Sequence, residues 1–92
     1  MIELAGRAGS VSVPAEPLYV RIIEDIGAKI RAGDWPVGHV VPKPDDLASY
    51  YSNVFGVSVS AGTVRRSLER LQDRGVLVGH QGKNVVVARV PD

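Results

Sequence analysis

Val59-Ser60-Ala61-Gly62-Thr63-Val64-Arg65-Arg66-Ser67-Leu68-Glu69-Arg70-Leu71-Gln72-Asp73-Arg74-Gly75 is the stretch whose reading decides the fold. Ser60 is a natural N-cap, because a serine oxygen accepts one of the unpartnered amide hydrogens of a first helical turn. Val64, Leu68 and Leu71 then recur at the three- and four-residue spacing that lays an apolar stripe along one helix face. Arg65, Arg66, Glu69 and Arg70 fall outside that stripe. Gly75 ends the helix, since glycine enters the left-handed conformation of a helix terminus without steric penalty. Beyond it the pattern turns from helical to extended. Val76 to His80 and Val85 to Val90 read as two strands, and the polar link Gln81-Gly82-Lys83-Asn84 makes them a hairpin.

Upstream of this stretch, Leu18, Ile22, Ile23, Ile26 and Ile30 share one face of a helix that Pro17 opens. Gly33 stops it, and Asp34-Trp35-Pro36-Val37-Gly38 is a turn whose Trp35 is large enough to cover the end of a small core. His39-Val40-Val41 is a short extended piece halted by Pro42, which has no amide hydrogen to give a ladder. A second helix begins at Pro44. Asp45 and Asp46 sit well near its positive end, and Leu47, Ala48 and Tyr51 form its buried side. Between Ser52 and Ser58 the signals conflict, for Asn53 and Gly56 mark a turn while Phe55 calls for burial. Met1 to Glu16 carries neither period and reads as a flexible arm. The expected organisation is thus an arm over 1–16 and one domain over 17–90. The domain is mostly α with a small β component: three helices, a short strand and a C-terminal two-stranded wing, the layout of a winged helix-turn-helix.

Composition narrows the function classes. The 92 residues hold room for one compact domain, with 45% hydrophobic and 23% charged residues and no cysteine. Lack of cysteine excludes a disulfide scaffold and a thiolate metal site, and fits a cytoplasmic location. The branched run Val85 to Val87 is far too short to cross a bilayer, and Met1-Ile2-Glu3-Leu4 does not open a secretory signal. His39 and His80 have no metal-ligand or nucleophile spacing, and no phosphate loop is present. Neither an enzyme nor a cofactor or metal site is therefore expected. The net charge of +1 is uninformative, but its distribution is not. Glu16, Glu24, Asp25, Asp34, Asp45 and Asp46 precede position 50, whereas Arg65, Arg66, Arg70, Arg74, Lys83 and Arg89 follow it against only Glu69, Asp73 and Asp92, so phosphate contacts belong to the C-terminal half.

Across Pro17 to Ala88 the chain resembles the DNA-reading domain of the GntR family of bacterial transcription regulators. Pro17-Leu18-Tyr19, the isoleucine-striped helix and Gly33-Asp34-Trp35-Pro36-Val37-Gly38 look like the family's opening. Val41-Pro42-Lys43-Pro44-Asp45-Asp46-Leu47-Ala48 occupies the place of its Leu-Pro-Ser-Glu-Arg-Glu-Leu-Ala stretch. Val59 to Leu68 is similar to its recognition helix, and Gln81-Gly82-Lys83 followed by Val85-Val86-Val87-Ala88 to its wing. The chain departs from the pattern at Asp45, Ala61 and Gly79-His80, where the family usually carries arginines. Its turn before the third helix also reads as several residues longer.

The resemblance implies a sequence-specific regulator, by default a repressor acting by occlusion, with double-stranded DNA as partner. A helix fits the major groove and reads bases with its N-terminal end. Ser60, Ala61, Gly62, Thr63 and Arg66 are then expected nearest the bases. Ala61 and Gly62 are small enough for close backbone approach. Either Arg65 or Arg66 suits a bidentate grip on guanine, although adjacent residues diverge by about 100° around a helix. In the wing, Gln81, Gly82 and Lys83 are expected beside the minor groove or its phosphates, and His80 is a phosphate donor when protonated. A single copy neutralising few phosphates binds weakly, so a homodimer on a palindromic operator is expected. The alternative is a winged helix used as a protein-interaction module without specific DNA binding.

Overall fold

A computed structural model of the chain describes residues 17–79 and 84–91. The expected arm over 1–16 and the wing residues His80, Gln81, Gly82 and Lys83 lie outside the described residues. Three helices form in chain order, α1 (Leu18–Arg31), α2 (Pro44–Phe55) and α3 (Ala61–Asp73), followed by two strands, β1 (Leu77–Gly79) and β2 (Val85–Val87). The strands pair antiparallel, with Leu77 opposite Val87 and Gly79 opposite Val85. The extended piece before α2 joins their sheet through one bridge, Val40 to Val86. Backbone bonds from Val41 N to Val85 O (2.8 Å) and Val87 N to His39 O (3.0 Å) hold it there.

The apolar stripes meet where the patterns place them. Ile22, Ile26, Tyr51, Val64, Leu71, Val76, Leu77 and Val87 are almost wholly shielded from solvent and belong to one core, against which Trp35 packs, half-buried. Trp35 also stacks on His39, with ring centres 5.2 Å apart. Two helices end in the same way. Gly33 (φ 88°) and Gly75 (φ 76°) take the left-handed position. In α1 the Asp34 amide reaches back to the Lys29 carbonyl at 2.9 Å, and in α3 the Val76 amide reaches the Leu71 carbonyl at 3.0 Å. Both are the paired closure that satisfies the orphan carbonyls of a last turn. Arg89 adds a bond from Nη2 to the Arg74 carbonyl at 2.6 Å, placing a cation at the negative end of α3.

Two expectations need adjustment. Asn53 does not mark a turn. It lies within α2, exposed, and the helix runs on to Phe55 before Gly56 (φ 72°) caps it. The reason is packing one turn apart: the Phe55 ring stacks on buried Tyr51 at 5.2 Å, and Arg21 of α1 covers Phe55 at 4.4 Å from its centre. Ser52 Oγ donates to the Ala48 carbonyl (2.7 Å) and accepts from the Val59 amide (2.9 Å), tying the end of α2 to the approach to α3. The apparently long turn before α3 is thus partly one more turn of helix. The strands are also shorter than the extended runs that contain them. Beyond β2 the ladder becomes irregular, and the amides of Ala88 and Arg89 both bond to the Val76 carbonyl just before β1.

One polar cluster crosses from α1 to α2. The Tyr51 hydroxyl donates to Asp25 Oδ2 at 2.7 Å, and Lys29 Nζ donates to the Tyr50 hydroxyl at 2.9 Å while lying 3.5 Å from the same Asp25 carboxylate. Burial, reinforced by the hydrogen bond to Asp25, raises the Tyr51 pKa above its ordinary value. The hydrogen bond to Tyr50, ahead of the Asp25 charge, raises that of Lys29.

Candidate nucleic-acid interface

The third helix presents one face of its first two turns to solvent. Ser60 caps it as expected, its Oγ accepting the Thr63 amide at 3.1 Å and lying 3.0 Å from the Thr63 hydroxyl. First-turn amides of a helix point out along its axis, so those of Ala61 and Gly62 are directed beyond the start of α3. Gly62 is exposed, and a Cβ added there would meet only Ser60 Oγ, at 3.8 Å. Nothing in the fold requires its missing side chain. Val64, Ser67, Leu68 and Leu71 are buried, which turns Arg65, Arg66, Glu69 and Arg70 outward.

The two adjacent arginines part company. Arg65 lies on the flank of α3 that faces the start of α2 and the wing, where it lines an open cavity of about 460 Å³ with Lys43, Glu69, Gln72, Asn84 and Val85. Arg66 lies on the opposite flank, its guanidinium carbon 4.2 Å from the centre of the Tyr19 ring at the start of α1. Among the described residues neither arginine is paired with a carboxylate; the one ion pair there joins Lys29 to Asp25. The acidic residues of α3, Glu69 and Asp73, are confined to its later turns, so the N-terminal half carries net positive charge. At the start of α2, Asp45 and Asp46 are exposed in the first turn, beside the positive end of the helix dipole.

Ser60, Ala61, Gly62, Thr63, Arg65 and Arg66 therefore share one end of one exposed helix. His80, Gln81, Gly82 and Lys83 lie outside the described residues. Sequence reasoning missed three participants in this surface. Tyr19 underlies Arg66 and also Arg70 (5.7 Å), while Lys43 and Asn84 flank Arg65 across the cavity. An aromatic residue on the first turn of one helix and two arginines four apart on another give no signal until the helices are packed. Among the described residues no group of histidines and carboxylates is placed to hold a metal ion, and no helix is long and apolar enough to cross a membrane.

Comparison with known proteins places this geometry. The model of the family described as bacterial regulatory proteins, gntR family, matches residues 18–87. The uncharacterized HTH-type transcriptional regulator YdfD of Bacillus subtilis (strain 168) is 35% identical over 71 residues, which are 77% of this chain and 14% of that protein. The chain thus spans about one seventh of the length of the curated relative it matches. Among solved structures, the AraR DNA-binding domain in complex with operator ORX1 superposes with a TM-score of 0.70 at 26% identity, covering 87% of this chain and 89% of that one. The same domain with operator ORE1 gives 0.71 at 25% identity, covering 87% and 90%. A GntR family transcriptional regulator from Listeria monocytogenes shares the fold, with a TM-score of 0.71 at 18% identity over 84% of this chain and 62% of that one. Three helices, a two-stranded antiparallel wing and a family match across nearly all of the described residues agree: this chain belongs to the GntR family of bacterial regulatory proteins and carries its winged helix-turn-helix DNA-binding domain.

Proposed function

We propose that this domain binds a specific operator sequence in double-stranded DNA, with α3 in the major groove and the wing on the flanking minor groove or backbone, and that it represses transcription by occluding the promoter. The observation that carries this reading is the N-terminal half of α3, an exposed helix start with a bare glycine and two arginines without acidic partners among the described residues. A helix end of this kind offers backbone amides to phosphate and long donors to base edges. Ser60, Ala61, Gly62, Thr63, Arg65 and Arg66 make the helix contacts, and His80, Gln81, Gly82 and Lys83 those of the wing. The AraR domain, 26% identical to this chain, is seen with its operator, which supports the same partner here.

Two copies bind as a homodimer across a palindromic site in the cytoplasm. The domain acts as a binding module rather than as an enzyme and takes no cofactor. The loss of family arginines at Asp45, Ala61 and Gly79 shifts the operator sequence away from that of relatives that keep them. It is also the feature that would suit a module turned to protein partners. Fluorescence anisotropy with tiled duplexes from the DNA upstream of the coding sequence, against a scrambled duplex, separates these readings. Preference for one native duplex, weakened by Arg65→Ala, supports the regulator; equal binding to all duplexes supports the protein-interaction module.

A further inference from the structure

Arg66 is held rather than free. Its guanidinium carbon lies 4.2 Å from the centre of the Tyr19 ring, and that of Arg70, one helical turn on, lies 5.7 Å from the same centre. The ring is fixed in turn. Tyr19 sits half-buried against the core on the first turn of α1. Its carbonyl lies 3.0 Å from the fully buried Ser67 Oγ, which is equally close to the Thr63 carbonyl. Ser67 therefore ties the backbone under the ring to the helix that carries both arginines. Two like charges one turn apart repel, and the electron-rich ring near both offsets that repulsion.

We infer that Tyr19 is a positioning residue that holds Arg66 as a clamp on the DNA backbone, leaving Arg65 as the arginine that reads a base. This rests on the DNA-binding reading above. A guanidinium lying over a ring keeps its in-plane N–H donors exposed, so it can stack and grip a phosphate together. Base reading is a different demand. The major groove is about 8.5 Å deep, and a side chain laid over the ring at the start of α1 gives up the reach that a base edge requires. Arg65, on the wing-facing flank and without a stacking partner among the described aromatic residues, keeps that reach.

The test is anisotropy over a salt series with the 92-residue chain. The probes are the upstream duplex bound most tightly and a scrambled duplex of the same composition. The variants are Arg65→Ala, Arg66→Ala, Tyr19→Leu, Tyr19→Phe and the double variant Tyr19→Leu/Arg66→Ala, each confirmed folded by circular dichroism. Arg66→Ala is expected to weaken binding to both duplexes by the same factor and to reduce the magnitude of the log–log salt slope by about 0.9. Tyr19→Leu is expected to weaken both roughly two- to fivefold, the worth of an exposed cation–π contact. Tyr19→Phe, which keeps the ring, restores wild-type binding. In the Arg66→Ala background Tyr19→Leu has no further effect, an outcome that a merely structural role would not give. An equal loss from Tyr19→Leu in both backgrounds overturns the inference. So does an Arg66→Ala variant that loses the native duplex but not the scrambled one. The second result needs no Tyr19 variant and stands even if Tyr19→Leu fails to fold. If Arg66→Ala is silent while Arg65→Ala weakens native binding, the clamp fails and DNA binding stands. If neither arginine matters, the DNA-binding reading itself fails.

Discussion

Gly62 stands at the second position of α3, where alanine is the better helix former and a Cβ would meet nothing closer than Ser60 Oγ at 3.8 Å. Keeping glycine there works against the helix, and close approach of a partner's backbone is what a missing side chain permits. Gly62→Ala is accordingly expected to stabilise the fold by about 0.5 kcal/mol and to weaken DNA binding several-fold, a pairing of opposite signs that thermal melts and anisotropy together reveal. Ser60→Ala should move both in one direction, costing about 1 kcal/mol as the cap on the Thr63 amide is lost. Tyr51 makes a prediction independent of DNA. Its hydroxyl bond to Asp25 is charge-assisted, so Tyr51→Phe should cost about 1.5 kcal/mol in denaturant titrations at neutral pH. Because burial and Asp25 raise its folded pKa, the stabilisation tied to that proton is complete below the unfolded value of 10.0 and is lost as pH climbs above it. Lys29, also raised, acts in the same alkaline window. Between neutral pH and about pH 11 the wild-type chain should therefore lose more stability than Tyr51→Phe does.

At the scale of elements, the caps carry clear consequences. Gly56 ends α2 at φ 72° with no atom within 4 Å of an added Cβ, so Gly56→Ala is expected to cost about 1–2 kcal/mol from backbone strain alone, read as a lowered denaturation midpoint. Much of this level was legible in the sequence, because each element announces itself twice. Ser60 and Gly75 bracket the same helix that Val64, Leu68 and Leu71 stripe, and Gly33 closes the one striped by Ile22, Ile26 and Ile30. The end of α2 was not legible. Asn53 is a turn former by local preference, and what overrides it is Phe55 stacking on Tyr51 and lying under Arg21, contacts between helices that no local pattern encodes. The candidate site divides in the same way. Its residues on α3 followed from spacing, whereas the opposite placement of Arg65 and Arg66 depends on what stands beside α3: Tyr19 on one flank, Lys43 and Asn84 on the other.

For the whole molecule, the governing quantity is how many phosphates are neutralised at once. One copy engaging about four has a log–log salt slope near −3.6 and loses roughly 150-fold in affinity between 50 and 200 mM salt. Two copies on a palindrome roughly double the slope and the sequence read, which is why dimeric binding is the arrangement proposed. A slope near −7 on the full operator, falling to about half on an isolated half-site, is the signature expected in anisotropy. That the exposed start of α3 reads a DNA sequence can be checked by comparing affinities for the best upstream duplex and its scrambled counterpart at one near-physiological salt concentration, with and without Arg65→Ala. Binding to the native duplex is expected to be tighter by on the order of 10³, with most of that preference lost in the variant. Equal affinity for both duplexes, unmoved by the substitution, would contradict it.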